Sequence, residues 1–128
     1  MKKILAIDDD QAVLNYLNIM LLQTGIYEVT TLANSAKAFH ELKAKAYDLL
    51  ILDMDMPDVS GLDILKHIKE KNIDIETIVL TGVEDVELAV SAMKLGAFDY
   101  LTKPVDNDQL LTIIATVVEN RKARAGTA

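Results

Sequence analysis

The run Leu49–Leu52, LLIL, is uniformly apolar and only four residues long. Such a run suits a parallel strand covered by helices on both faces, because a parallel sheet is reached through crossovers that lie above and below it. Segments on either side of it alternate in the way this requires. Residues 3 to 7 (KILAI), 27 to 32 (YEVTTL), 75 to 81 (IETIVLT) and 98 to 102 (FDYLT) read as four further strands. Between them apolar residues recur at helix spacing. Val13, Leu14, Leu17, Met20 and Leu21 mark a helix over about 11 to 23, and Ala38, Phe39 and Leu42 a second one, capped by Asn34 or Ser35. Leu62, Ile64, Leu65 and Ile68 mark a third, and Ala89, Val90 and Met93 a fourth that starts at Asp85. Leu110, Ile113, Ile114 and Val117 mark a fifth, running from Asp106 to roughly Arg121. Gly25 and Gly96 stand where the first and fourth helices should stop.

Strict alternation of five strands with five helices predicts an α/β fold, a doubly wound parallel sheet with helices on both faces. A chain of 128 residues is long enough for one sizeable core and short for two. The expected division is one domain over 1–121 and a basic, small-residue tail over 122–128 that frays or begins a linker.

Twenty acidic against thirteen basic residues give a net charge of −7, a field that repels nucleic-acid backbones and anionic membrane surfaces. Direct nucleic-acid or membrane binding is therefore not expected. The absence of cysteine removes disulfides, thiol nucleophiles and zinc-thiolate sites together. In MKKILAIDDD three aspartates interrupt the apolar run before a signal-peptide core forms, and no later stretch approaches the length of a membrane span. The expectation is a soluble, cytoplasmic protein.

In an open parallel sheet, chemistry gathers in the loops beyond the carboxyl ends of the strands. Those positions hold Asp8, Asp9 and Asp10 after the first strand, and Asp53 and Asp55 after the third. Thr81 and Gly82 follow the fourth, and Lys103 with Pro104 the fifth. Carboxylates converging from two strand ends resist ionising together unless a cation offsets them, and their hard oxygens suit Mg²⁺. A hydroxyl and an ammonium from the other two strand ends add what a phosphoryl group needs, namely donors and charge around its equatorial oxygens. Asp10 and Asp58 read more simply as helix caps. His40 and His67 lack a ligand partner at metal spacing and read as solvated, and Met20, Met54, Met56 and Met93 as packing.

Asp8 and Asp9 after an apolar strand, Asp53 in ILDMDMPDVSG, Thr81 in VLTG and Lys103 in FDYLTKP together resemble the receiver family of two-component response regulators, over roughly residues 2 to 120. Residues 85 to 104 look most like the receivers of NtrC-type activators. The resemblance implies a CheY-like, flavodoxin-like strand order 2-1-3-4-5. It implies that Asp53 is the phosphoacceptor, taking a phosphoryl group from a histidine kinase or phosphotransfer protein. It further implies that Asp8 and Asp9 hold Mg²⁺ with Asp53 and the backbone carbonyl of Asp55, and that Lys103 pairs with the phosphoryl group. Thr81 and Tyr100 resemble the switch pair, Asp55 and Val83 occupy positions that tune the lifetime of the acyl phosphate, and Pro104 would follow a cis peptide bond. The fourth helix, fifth strand and fifth helix would report the change to an output domain or effector, or form a homodimer. Such a protein is not a conventional enzyme; it catalyses its own phosphorylation and dephosphorylation. An enzymatic alternative rests on the Asp-x-Asp of DMDMP, shared with haloacid-dehalogenase-type phosphatases, but it leaves Asp8 and Asp9 unexplained. A docking module that takes no phosphate is the third reading.

Overall fold

The computed structural model describes the backbone of residues 1–127 and the side chains of residues 1–121. Five parallel strands, β1 (Lys2–Ile7), β2 (Tyr27–Leu32), β3 (Leu49–Leu52), β4 (Glu76–Thr81) and β5 (Asp99–Thr102), form one sheet in the order β2-β1-β3-β4-β5. Five α-helices connect or follow them: α1 (Gln11–Leu22), α2 (Ala38–Ala44), α3 (Gly61–Glu70), α4 (Val86–Lys94) and α5 (Asn107–Thr127). A 3-10 turn, Ser35–Lys37, precedes α2. The central strand is LLIL, none of whose residues is more than 2% exposed, as a strand covered on both faces requires.

Alternation along the strands sorts the core into two layers. Ile4, Ala6, Leu49, Ile51, Ile78 and Leu80 point toward α1 and α5, where Leu14, Leu17, Leu110 and Ile114 meet them. Leu5, Ile7, Leu50, Leu52 and Val79 point the other way, against Leu42, Ile64 and Leu65 of α2 and α3 and Ala92 of α4. The register aligns the ends of β1 and β3, with Ile7 opposite Leu52, and the ends of β4 and β5, with Thr81 opposite Thr102. Residues that follow these strands therefore emerge at one edge of the sheet.

Helix boundaries follow local chemistry. The side chain of Asp85 accepts from the amides of Glu87 and Leu88, starting α4 as expected. Its end is a Schellman turn, in which the amide of Ala97 reaches Ala92 O and that of Gly96 reaches Met93 O, with Gly96 at φ 100°. α3 ends the same way at Asn72, φ 51°, a stop that the sequence reading did not include. α5 continues past Arg121 to Thr127; the side chains of the tail over 122–128 lie outside the described residues.

Three expectations are corrected. Met93 and Val90 are 45% and 46% exposed, so α4 turns part of its apolar face to solvent and buries Ala92 instead. Asp58 does not cap α3; Ser60 does, its Oγ accepting from the Asp63 amide at 3.1 Å. His67 is not simply solvated, since its ring lies 4.5 Å from that of Phe39 between α3 and α2.

Candidate functional site

Asp8 follows β1 and Asp53 follows β3, and both are buried, at 3% and 6% exposure. Each is held by backbone geometry at its strand end: the Asp53 amide donates to Ile7 O at 3.0 Å, and the Asp8 amide to Leu32 O at 3.3 Å. Asp9 is exposed, yet it offers an oxygen to the same point, so that ligand atoms of Asp8, Asp9 and Asp53 all lie within 4.8 Å of one another. Asp10 turns away and caps α1 through the Ala12 amide at 2.9 Å, as its position predicted.

The other two strand ends complete the site. Thr81 Oγ1 donates to Asp53 Oδ1 at 2.6 Å, both groups being buried. Lys103 Nζ sits 2.6 Å from Asp8 Oδ2. The Lys103–Pro104 peptide is cis. Tyr100 on β5 donates its hydroxyl to Val83 O at 2.8 Å, tying β5 to the loop after Thr81. Asp55 is exposed, and its amide makes a long contact of 3.5 Å with Asp53 Oδ1.

Burial pushes the Asp53 carboxyl above the ordinary aspartate range, and the nearby Asp8 charge pushes it further; the Thr81 hydroxyl and the Lys103 ammonium pull it back. The buried carboxylate thus carries a cost that a cation beside it would relieve. Three hard carboxylates at one point are a donor set suited to Mg²⁺. Burial also raises the Tyr100 phenol, and the Asp85 and Asp53 charges push it the same way.

Gly61 was named in the sequence only as part of a loop, and it has a role there that the pattern did not reveal. A Cβ at this position would stand 2.4 Å from Asp53 O and 2.7 Å from Met54 Cα. Only glycine lets the start of α3 rest directly on the backbone of Asp53, and the Gly61 amide fastens it there by donating to Met54 O at 3.1 Å. A cleft of about 540 Å³ lies among Lys3, Tyr47, Asp48, Asp74 and Arg121, a residue set that includes none of the site residues.

Comparison with known proteins decides the family. The model of the response regulator receiver domain matches residues 4–115. The chain belongs to this receiver family. It is 36% identical over 123 residues to the transcriptional regulatory protein FixJ of Bradyrhizobium diazoefficiens, covering 95% of this chain and 59% of FixJ. It is 35% identical over 114 residues to the DNA-binding transcriptional regulator NtrC of Escherichia coli (strain K12), covering 89% of this chain and 24% of NtrC. The receiver thus spans between about a quarter and three fifths of these relatives. Among solved structures, the beryllofluoride-activated NtrC4 receiver domain dimer matches with a TM-score of 0.86 at 32% identity, covering 94% of this chain and 98% of that one. The response regulator protein TrrA of Thermotoga maritima, in complex with Mg(2+)-BeF, matches with a TM-score of 0.80 at 32% identity, covering 91% and 99%. The receiver is therefore a module of two-component signalling with the expected fold and strand order. In this receiver the Asp-x-Asp of residues 53 to 55 follows the third strand in sequence, at the centre of the sheet.

Proposed function

We propose that Asp53 is the phosphoacceptor of this receiver. A carboxylate oxygen of Asp53 attacks the phosphorus of a phosphohistidine on a histidine kinase or phosphotransfer protein. The phosphorus–nitrogen bond breaks, the imidazole leaves, and an acyl phosphate remains on Asp53. The observation that carries this reading is the meeting at one point of buried Asp53, the Thr81 hydroxyl and the carboxylates of Asp8 and Asp9, with Lys103 on Asp8.

Asp8, Asp9, Asp53 and the carbonyl of Asp55 would hold Mg²⁺, which when bound neutralises charge on the phosphoryl oxygens. Lys103 is already beside the cluster and exchanges its contact with Asp8 for one with the phosphoryl group. Thr81 leaves the carboxylate and donates to a phosphoryl oxygen, and the Tyr100 contact with Val83 carries that movement to β5. Asp55, two residues beyond Asp53, and Val83, two residues beyond Thr81, set how fast water removes the phosphoryl group. The domain thus catalyses its own phosphorylation and dephosphorylation and serves as a switch, working in the cytoplasm. No described helix is long and apolar enough to cross a membrane.

The face formed by α4, β5 and α5 reports the switch to an output domain or effector, or to a second copy of the receiver. Val86, Val90 and Met93, exposed on α4, support this assignment. Reduction of the phosphorylated protein with borohydride converts an acyl phosphate on aspartate to homoserine, which peptide mass spectrometry locates. Homoserine at position 53 is the expected result; homoserine elsewhere, or none, overturns the assignment.

A further inference from the structure

Five polar or charged side chains are buried among the described residues: Asp8, Asp53, Thr81, Thr77 and Ser35. The first three make the site and Thr77 lies within β4, but Ser35 belongs to the turn after β2, outside the acidic cluster. It is 2% exposed. The turn is closed by Asn34, whose side chain accepts from the Ala36 amide at 3.0 Å, and this aims the Ser35 hydroxyl inward. There its Oγ accepts from the amide of Val59 at 2.9 Å, across 24 positions of sequence.

Val59 sits in the loop from Asp53 to Ser60 that carries the Asp55 carbonyl. Among the described residues, the Ser35–Val59 bond is the one hydrogen bond between residues 55 to 60 and a different strand-to-helix connection. The ends of the loop are fixed by Asp53 on β3 and by Gly61 on Met54 O, and the side chains of Met56 and Val59 pack into the core between them. The backbone of its middle is tied to a neighbouring connection by that one hydroxyl. A loop ordered before the metal arrives loses less conformational freedom on binding, so its affinity is higher.

We propose that Ser35 is a positioning residue for the metal-binding loop, holding the Asp55 carbonyl where a divalent cation needs it. This rests on the reading of Asp8, Asp9, Asp53 and Asp55 as the Mg²⁺ ligands. Ser35→Ala removes the acceptor and leaves the partly buried Val59 amide without a partner. Ser35→Thr keeps the hydroxyl.

The test is an Mg²⁺ titration of wild type, Ser35→Ala and Ser35→Thr without any phosphodonor, followed by the amide signals of residues 53 to 60. Thermal unfolding in EDTA runs beside it. Expected is a Kd about 5- to 10-fold weaker for Ser35→Ala and within about twofold of wild type for Ser35→Thr, on the scale of one lost neutral hydrogen bond. A wild-type Kd in Ser35→Ala, whatever its thermal stability, overturns the proposal and leaves the metal reading standing; equal weakening in both variants overturns it too. Failure of the wild type to bind Mg²⁺ overturns the metal reading itself. Should Ser35→Ala fail to fold, hydrogen exchange at Val59 in the wild type decides: protection supports the tether, and exchange at the rate of an open amide overturns it.

Discussion

Asp53→Asn is expected to make the metal-free receiver more stable. Ligand oxygens of Asp8, Asp9 and Asp53 lie within 4.8 Å of one another. At that separation and an effective dielectric of about 20, each pair of like charges repels by about 3.5 kcal/mol. Lys103, 2.6 Å from Asp8, offsets much of this, and the Thr81 hydroxyl supports the Asp53 carboxylate. A net cost of about 1–2 kcal/mol remains for ionised Asp53 at neutral pH. The sign follows from its raised carboxyl, whose first cause is burial. The folded state keeps the proton to higher pH than the unfolded chain, so stability falls as pH rises through that range and the cost is carried where Asp53 is ionised. Asparagine keeps an acceptor for Thr81 and removes the charge. Thermal unfolding in EDTA at pH 7 should show a Tm higher by about 3–8 °C for a domain of this size. Mg²⁺ at about ten times its Kd should stabilise the wild type by about 1.4 kcal/mol and the variant by far less. An unchanged or lower Tm for Asp53→Asn in EDTA, or equal gains from Mg²⁺ in both proteins, would refute the electrostatic reasoning.

Tyr47 is buried and bonds Glu41, whose carboxyl is held below its usual range chiefly by that bond. Tyr47→Phe should cost about 1–2 kcal/mol at neutral pH, a penalty that shrinks as the pH falls and Glu41 protonates; denaturant unfolding between pH 7 and 3 measures it. Gly61→Ala should cost about 1–3 kcal/mol by overpacking against Asp53 O and should slow phosphorylation by displacing the acceptor, which unfolding and acetyl phosphate kinetics read separately. Leu50→Ala at the centre of the sheet should cost about 2–5 kcal/mol, seen as a lower urea midpoint, with the acidic cluster still able to bind Mg²⁺.

The fold was legible because its signals are local and repeated. LLIL, the five-fold alternation and caps such as Asp85 each report a physical requirement of the segment itself, and all agree on one architecture. Asp8, Asp9, Asp53, Thr81 and Lys103 were legible because topology alone brings strand ends together. What the sequence hid depends on contacts between distant segments. The exposure of Val90 and Met93 reflects how α4 is rotated on the sheet, which helical spacing does not set. Ser60 rather than Asp58 caps α3 because Gly61, pressed on Asp53 O, fixes where the helix begins. His67 against Phe39 and Ser35 against Val59 join elements far apart in the chain, and neither residue differs in type from an ordinary surface residue.

The most direct test of the central claim is intact mass after incubation with acetyl phosphate, with and without Mg²⁺, beside Asp53→Asn. The account predicts the gain of one phosphoryl group that requires Mg²⁺ and is absent from the variant. No gain under any condition, or an equal gain in Asp53→Asn, would contradict it.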